Sequence, residues 1–277
     1  MAPVLVVVAV LAGALIGLSL GALGGGGSIL AVPVLVYLLD QSAAQATTGS
    51  LVVVGVTSLA GAVSAHRQGN VLLGRGVVFG VVAIGGAAAG AKGAAAVSDE
   101  VLLACFAAMM LLMGALMAWR RLGHGDPTRP DTGDRPSLDD PIITFSPTFG
   151  CNCPRALKVL VTATAVGLLT GFLGVGGGFL VVPALLLALA LPMTYAVGTS
   201  LVVITITSAS ALVVRAGAGA APDWWLVLVL TIASSVAAVL GARLADRVDT
   251  DKLQGAFTLL VLGVAVYTAA RAFPALL

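Results

Sequence analysis

The sequence predicts an all-α polytopic membrane protein made of two repeated halves, and three observations predict it. Of its 277 residues, 59% are hydrophobic and 9% charged, where a soluble domain carries roughly 25% charged residues. Several apolar runs exceed the roughly 18 residues that make a spanning helix a candidate, and the mean hydropathy is +1.11. One glycine-rich stretch also occurs twice. Gly17 to Pro33 reads GLSLGALGGGGSILAVP and Gly167 to Pro183 reads GLLTGFLGVGGGFLVVP, an offset of 150 positions. A net charge of +2, with no aromatic and basic patch, gives no reason to expect a nucleic-acid partner.

The offset extends well beyond that stretch. Ser50-Leu51-Val52-Val53 matches Ser200-Leu201-Val202-Val203, and Thr57-Ser58 matches Thr207-Ser208. After one inserted residue, Gly90-Ala91-Lys92 matches Gly241-Ala242-Arg243 and Arg120 matches Arg271. Residues 1–119 therefore read as a first transmembrane repeat, 120–158 as a polar linker and 159–277 as a second repeat. Each repeat holds about four transmembrane segments, the first of them broken by glycine. Internal duplication is the usual build of secondary transporters.

Residues 3–39 are too long for one span and read as a helix, a glycine turn at Gly24 to Gly27, then a shorter helix from near Ser28. The run is mature structure rather than a signal peptide, because it lacks a basic leader and its counterpart lies mid-chain. A second span is expected from Thr47 to Ala65, opened by cap-type residues in TTGS. A loop follows at His66 to Asn70, and a third span covers Val71 to Val97. Ser98-Asp99-Glu100 caps a fourth helix, with its acids at the favourable end of the dipole. Arg120 to Lys158 holds eleven of the twenty-six charged residues and reads as an aqueous linker.

Two threadings are open. If the glycine-broken run crosses once, the repeats are parallel and ten basic residues lie on the linker side against four. If it turns back as a hairpin, the repeats are inverted and the count is eleven against three. Positive-inside logic puts the linker in the cytoplasm both ways.

Glycine clusters and proline break helices, and broken helix is tolerated in a bilayer only where protein or a watery cavity covers the freed backbone. A helix starting after such a break aims free N–H groups and a positive dipole end at the gap, which suits an anion. The candidate substrate-binding residues are therefore Gly24, Gly25, Gly26, Gly27 and Ser28 in the first break, with Gly174, Gly176, Gly177 and Gly178 in the second. Thr48, Gly49 and Ser50, with Thr199 and Ser200, form a second matched set near helix starts, where plain capping is the rival reading. Thr57, Ser58, Thr207 and Ser208 lie deeper, where bonding to helix carbonyls is expected. For Gly74, Gly76, Gly85, Gly86 and Gly90 close helix packing is the better reading. His66 and Arg67 are candidates for a vestibule, against an ordinary basic loop. Lys92 and Arg243 are gate candidates, against snorkelling at helix ends.

These residues resemble the sulfite exporter TauE/SafE family of anion permeases. The resemblance rests on the two glycine breaks closing on proline, the TTGSL and VGTSL stretches after them, and the HRQGNV loop. It covers both halves but not the linker. It implies secondary transport, with export the expected direction, of a small sulfur-containing anion such as sulfite or an organosulfonate across the cytoplasmic membrane of a bacterium. The second half departs from the pattern at RAGAGAAPDW, which has no histidine opposite His66.

No catalytic or metal-ligand constellation lies in the spans, so neither catalytic residues nor a metal nor any other cofactor is expected. The glycine runs lack the preceding strand and later acid of a nucleotide fingerprint. Acidic residues are nearly absent from the apolar stretches, which disfavours a cation carrier. Two rivals remain. Cys151 and Cys153 could serve a membrane-embedded sulfur-transfer enzyme, beside Arg155 and Lys158 that would favour a thiolate. A non-transporting scaffold would instead use its glycine faces to form a homo-oligomer. The expected partners are a small anion and the lipid bilayer.

Overall fold

A computed structural model describes residues 3–122, 153–174, 178–189, 191–215 and 222–245, together with Gly263 and Val266. Among the described residues there is no strand, and the chain runs as nine α-helices and one π-helical segment. The helices are α1 (Pro3–Leu23), α2 (Ser28–Pro33), α3 (Ala43–Arg67), α4 (Leu73–Ala95) and α5 (Asp99–Leu122). They continue as α6 (Cys153–Leu173), α7 (Gly178–Ala188), α8 (Met193–Arg215) and α9 (Trp224–Ala245). Among the described residues, five helices are long and apolar enough to cross a membrane: Leu5–Leu23, Ala43–Arg67, Leu73–Ala95, Tyr195–Arg215 and Trp224–Arg243.

The first broken run is a hairpin. α1 ends at Gly24, whose φ of +67° turns the chain, and Gly27 then seats its backbone against Ile16 and Leu20 of α1. α2 runs back from there. Pro33 has no N–H to give, and the helix widens into the π segment Val34–Leu38 immediately after it. The chain then enters α3 earlier than TTGS suggested. Ser42 is the N-cap, in a capping box with Gln45, so both orphan donors are met five residues upstream. Thr47, Thr48 and Ser50 therefore lie inside the helix and do not cap it. The predicted linker is also shorter than its composition implied, since α5 runs to Leu122 and α6 begins at Cys153. Pro154 then sits at the start of a helix, where its missing N–H costs nothing. Cys151 lies outside the described residues.

α3 is the most enclosed span, 67% buried against 39–50% for the others. It packs on α8 in the opposite direction, for Thr47 touches Arg215 while Gly55 meets Ser208 and Gly61 meets Leu201. Around this pair the packing is exchanged. α1 lies on α9, with Gly13, Gly17 and Gly21 against Leu230, Ser234 and Ala238. α6 lies on α4, with Gly167 and Gly171 against Ala83 and Ala87, and Gly86 and Gly90 against Thr164 and Leu168. In each case the backbones touch, which only glycine permits at so short a separation. A Cβ at Gly74 or Gly85 would meet no described residue within 4 Å, so among the described residues neither takes part in this packing. Val7, Leu11, Leu15 and Leu18 of α1 point outward, as a lipid-facing stripe must.

Candidate functional site

The two glycine breaks meet. A Cβ at Gly25 would fall 2.7 Å from the Gly178 Cα, and one at Gly178 would fall 2.6 Å from the Gly25 Cα. Two backbones are in contact there, with no side chain between them. Gly25 has a φ of +131°, and Gly24 and Gly174 have φ of +67° and +66°, a left-handed turn that favours glycine. The start of α7 and the turn before α2 thus face one another in the interior of the bundle.

Each break is gripped by a serine from the opposite half. Ser50 Oγ donates to the Gly174 carbonyl, and Ser200 Oγ donates to the Gly24 carbonyl. The pairs are related by the same offset of 150 that relates the sequences. Gly174 presses on Thr47 and Gly24 on Val197, again equivalent positions. The four contacts hold both turns against the α3–α8 pair.

The hydroxyls are already committed. Ser28 Oγ donates to the Gly25 carbonyl at 2.7 Å, Thr48 Oγ1 to Ala44 at 2.9 Å, and Ser50 Oγ also approaches the Thr47 carbonyl at 2.9 Å. Thr199 Oγ1 accepts from the Leu72 N–H at 3.1 Å, at the start of α4. These side chains shape the turns and helix starts. Among the described residues, no backbone carbonyl accepts from the N–H groups of Gly25, Gly26 or Gly27. These peptide nitrogens are candidate donors at the first break. Gly49 lies on α3 against Val227 and Leu35; Gly176 and Gly177 lie outside the described residues.

Of the deeper hydroxyls, Thr207 bonds to the Val203 carbonyl at 3.0 Å as expected. Thr57 does not follow that expectation and instead meets Ser234 Oγ at 2.6 Å. Ser58 and Ser208, both buried, have no partner among the described residues. The basic candidates stand apart from the breaks. His66 and Arg67 end α3, Lys92 lies in the last turn of α4 and Arg243 in that of α9, and all four are exposed. α4 runs with α8, as Gly76 on Thr199 and Gly80 on Ile206 show; α9 runs with α3, as Gly49 on Val227 and Thr57 on Ser234 show. Lys92 and Arg243 therefore lie at opposite ends of the bundle.

Sequence reasoning missed Arg215. It closes α8, is 8% exposed, and donates to Thr47 Oγ1 at 2.7 Å and to the Gly171 and Phe172 carbonyls at 3.0 and 3.1 Å. The available signal was a lone arginine ending the span TITSASALVVR, where the other half has Ala65.

An apolar bundle with two broken helices meeting at its centre is the architecture of a multi-pass membrane transporter. The family model described as Sulfite exporter TauE/SafE matches residues 9–268, and the chain belongs to that family. Two proteins of Xylella fastidiosa, each named "Probable membrane transporter protein", are similar to it. The one from strain 9a5c is 29% identical over 273 residues, covering 98% of this chain and 97% of its own. The one from strain Temecula1 is 30% identical over the same lengths. "Probable membrane transporter protein YdhB" of Bacillus subtilis strain 168 is 25% identical over 228 residues, 82% of this chain and 84% of its own. No solved structure matches the chain. The protein is a multi-pass transporter of the cell membrane.

Proposed function

We propose that the protein is a secondary transporter, in the export direction, of a small sulfur-containing anion such as sulfite or an organosulfonate. The observation that carries this is the backbone contact between Gly25 and Gly178. Beside that contact lie the N–H groups of Gly25, Gly26 and Gly27, which no backbone carbonyl among the described residues accepts, and the positive end of α7. Glycine lets a small oxyanion approach those nitrogens without a side chain intervening. Family membership and the near absence of acids from the apolar stretches support the same reading.

The opposed directions of α3 and α8 favour an inverted repeat. With the hairpin of α1 and α2, that threading puts eleven basic residues on the linker side and three on the other, so the linker is cytoplasmic. The halves rock about the α3–α8 crossing and open the breaks to either side in turn. The membrane potential is a sufficient drive, since one charge moved through 100 mV is worth about 2.3 kcal/mol.

Counterflow in proteoliposomes containing only this protein tests the proposal, with sulfite, sulfoacetate, sulfate and taurine inside and labelled sulfite outside. Exchange accelerated by the sulfur oxyanions, and lost in Gly26→Leu and Gly177→Leu at unchanged protein level, is the expected result. Equal leakage with and without protein for the whole panel would overturn it.

A further inference from the structure

Arg215 carries a full positive charge into a buried position, where such a charge is costly unless paired. Its partners are neutral: the Thr47 hydroxyl and the two carbonyls near the end of α6. Helix-terminal carbonyls supply only about half a negative charge. No carboxylate among the described residues pairs with it, and its Nε, also buried, has no partner among them. Three of the five guanidinium N–H donors are committed to described residues, and two have no partner among them.

The fold puts those donors beside the second break. Thr47, which accepts from Arg215, is the residue that a Cβ at Gly174 would strike, and Gly174 itself is held by Ser50. The first break has nothing comparable. The offset of 150 pairs Arg215 with Ala65, Thr47 with Val197 and Gln41 with Leu191. Gln41, which precedes α3, is 7% exposed, and neither of its amide atoms has a partner among the described residues. At these three matched positions one end of the α3–α8 pair is therefore polar and cationic where the other is apolar, and the basic residues at that other end, His66 and Arg67, are exposed. The polar end is the one away from the 120–158 linker, because α6 follows that linker and runs in the same direction as α8.

We propose that Arg215 is a substrate-binding residue, its N–H donors that have no partner among the described residues taking an oxyanion beside Gly174 on the side opposite the linker. The assignment rests on the transport reading above and adds to it a buried cationic subsite at the end of α8. Capping of α6 is the role that Arg215 fills without substrate. On anion arrival the guanidinium keeps that cap and spends its remaining donors on the ligand, a charge-assisted contact suited to sulfite or sulfonate oxygens.

The test uses the full-length protein in detergent, with sodium sulfite titrated against sodium gluconate at matched ionic strength and the thermal midpoint followed. Wild type should rise with sulfite. Arg215→Gln should lose that rise, and Arg215→Lys, which keeps the charge but not the fork, should need about tenfold or more sulfite for the same shift. A cap alone would lower the midpoint equally with and without sulfite. If Arg215→Gln fails to fold, Arg215→Lys and Thr47→Val carry the comparison. Equal sulfite dependence in wild type and variants, or no rise in wild type with sulfite, sulfate or sulfoacetate, overturns the assignment. Proteoliposome flux separates the two proposals. Flux with an unchanged KM in Arg215→Lys sinks the arginine and spares the transport reading. Arginine-dependent sulfite binding without flux does the reverse.

Discussion

Ser50 donates its hydroxyl proton to the carbonyl of Gly174, a residue 124 positions away. The bond ties α3 to the turn that ends α6, and Ser200 repeats it on Gly24. Both serines are fully buried, so neither carbonyl has water to replace the partner.

Ser50→Ala and Ser200→Ala should each cost about 1–3 kcal/mol, the penalty for an orphaned buried acceptor. Thermal or denaturant unfolding in detergent measures it. Similar losses in the two variants are expected, since the two contacts are built alike. A loss below about 0.5 kcal/mol would mean that the turns hold without the serines.

Gly25→Ala and Gly178→Ala should abolish flux while leaving the protein inserted. Each methyl would press on the opposing backbone, and a backbone in contact with a backbone has no rotamer to yield. Gly85→Ala is the control, because its Cβ meets nothing within 4 Å among the described residues. It should be neutral or stabilising by up to about 1 kcal/mol, as alanine is the better helix former.

Gly21→Leu and Gly171→Leu should destabilise rather than silence. They sit where α1 crosses α9 and α6 crosses α4, against the Ala238 and Ala87 carbonyls. Low yield of folded protein is expected, read by size-exclusion profile. Monodisperse variants at wild-type yield would show that these helix pairs can separate freely.

Ser42→Ala should cost about 1 kcal/mol through loss of the α3 capping box. KM for the transported anion should be unchanged, because among the described residues the Ser42 hydroxyl bonds only to the Gln45 N–H of that box.

The helical membrane-spanning architecture was legible, because apolar runs of spanning length with almost no charge leave no other fold open. The start of α3 was misread because TTGS looks like a cap, while the true signature, Ser42 with Gln45, lies in a segment that reads as a polar interruption. Thr57 was assigned to a helix carbonyl because its actual partner, Ser234, is 177 positions away. Arg215 was lost for a different reason. Matching the halves directs attention to residues present twice, and Arg215 has only Ala65 as its counterpart.

The exchanged packing of α1 on α9 has a consequence for biogenesis. Gly13, Gly17 and Gly21 are synthesised well before α9, the helix that receives them. α1 must wait in the bilayer with its glycine face unmatched until the second half arrives. Two fragments cut within the linker should therefore assemble when co-expressed, and each alone should be cleared by membrane proteases.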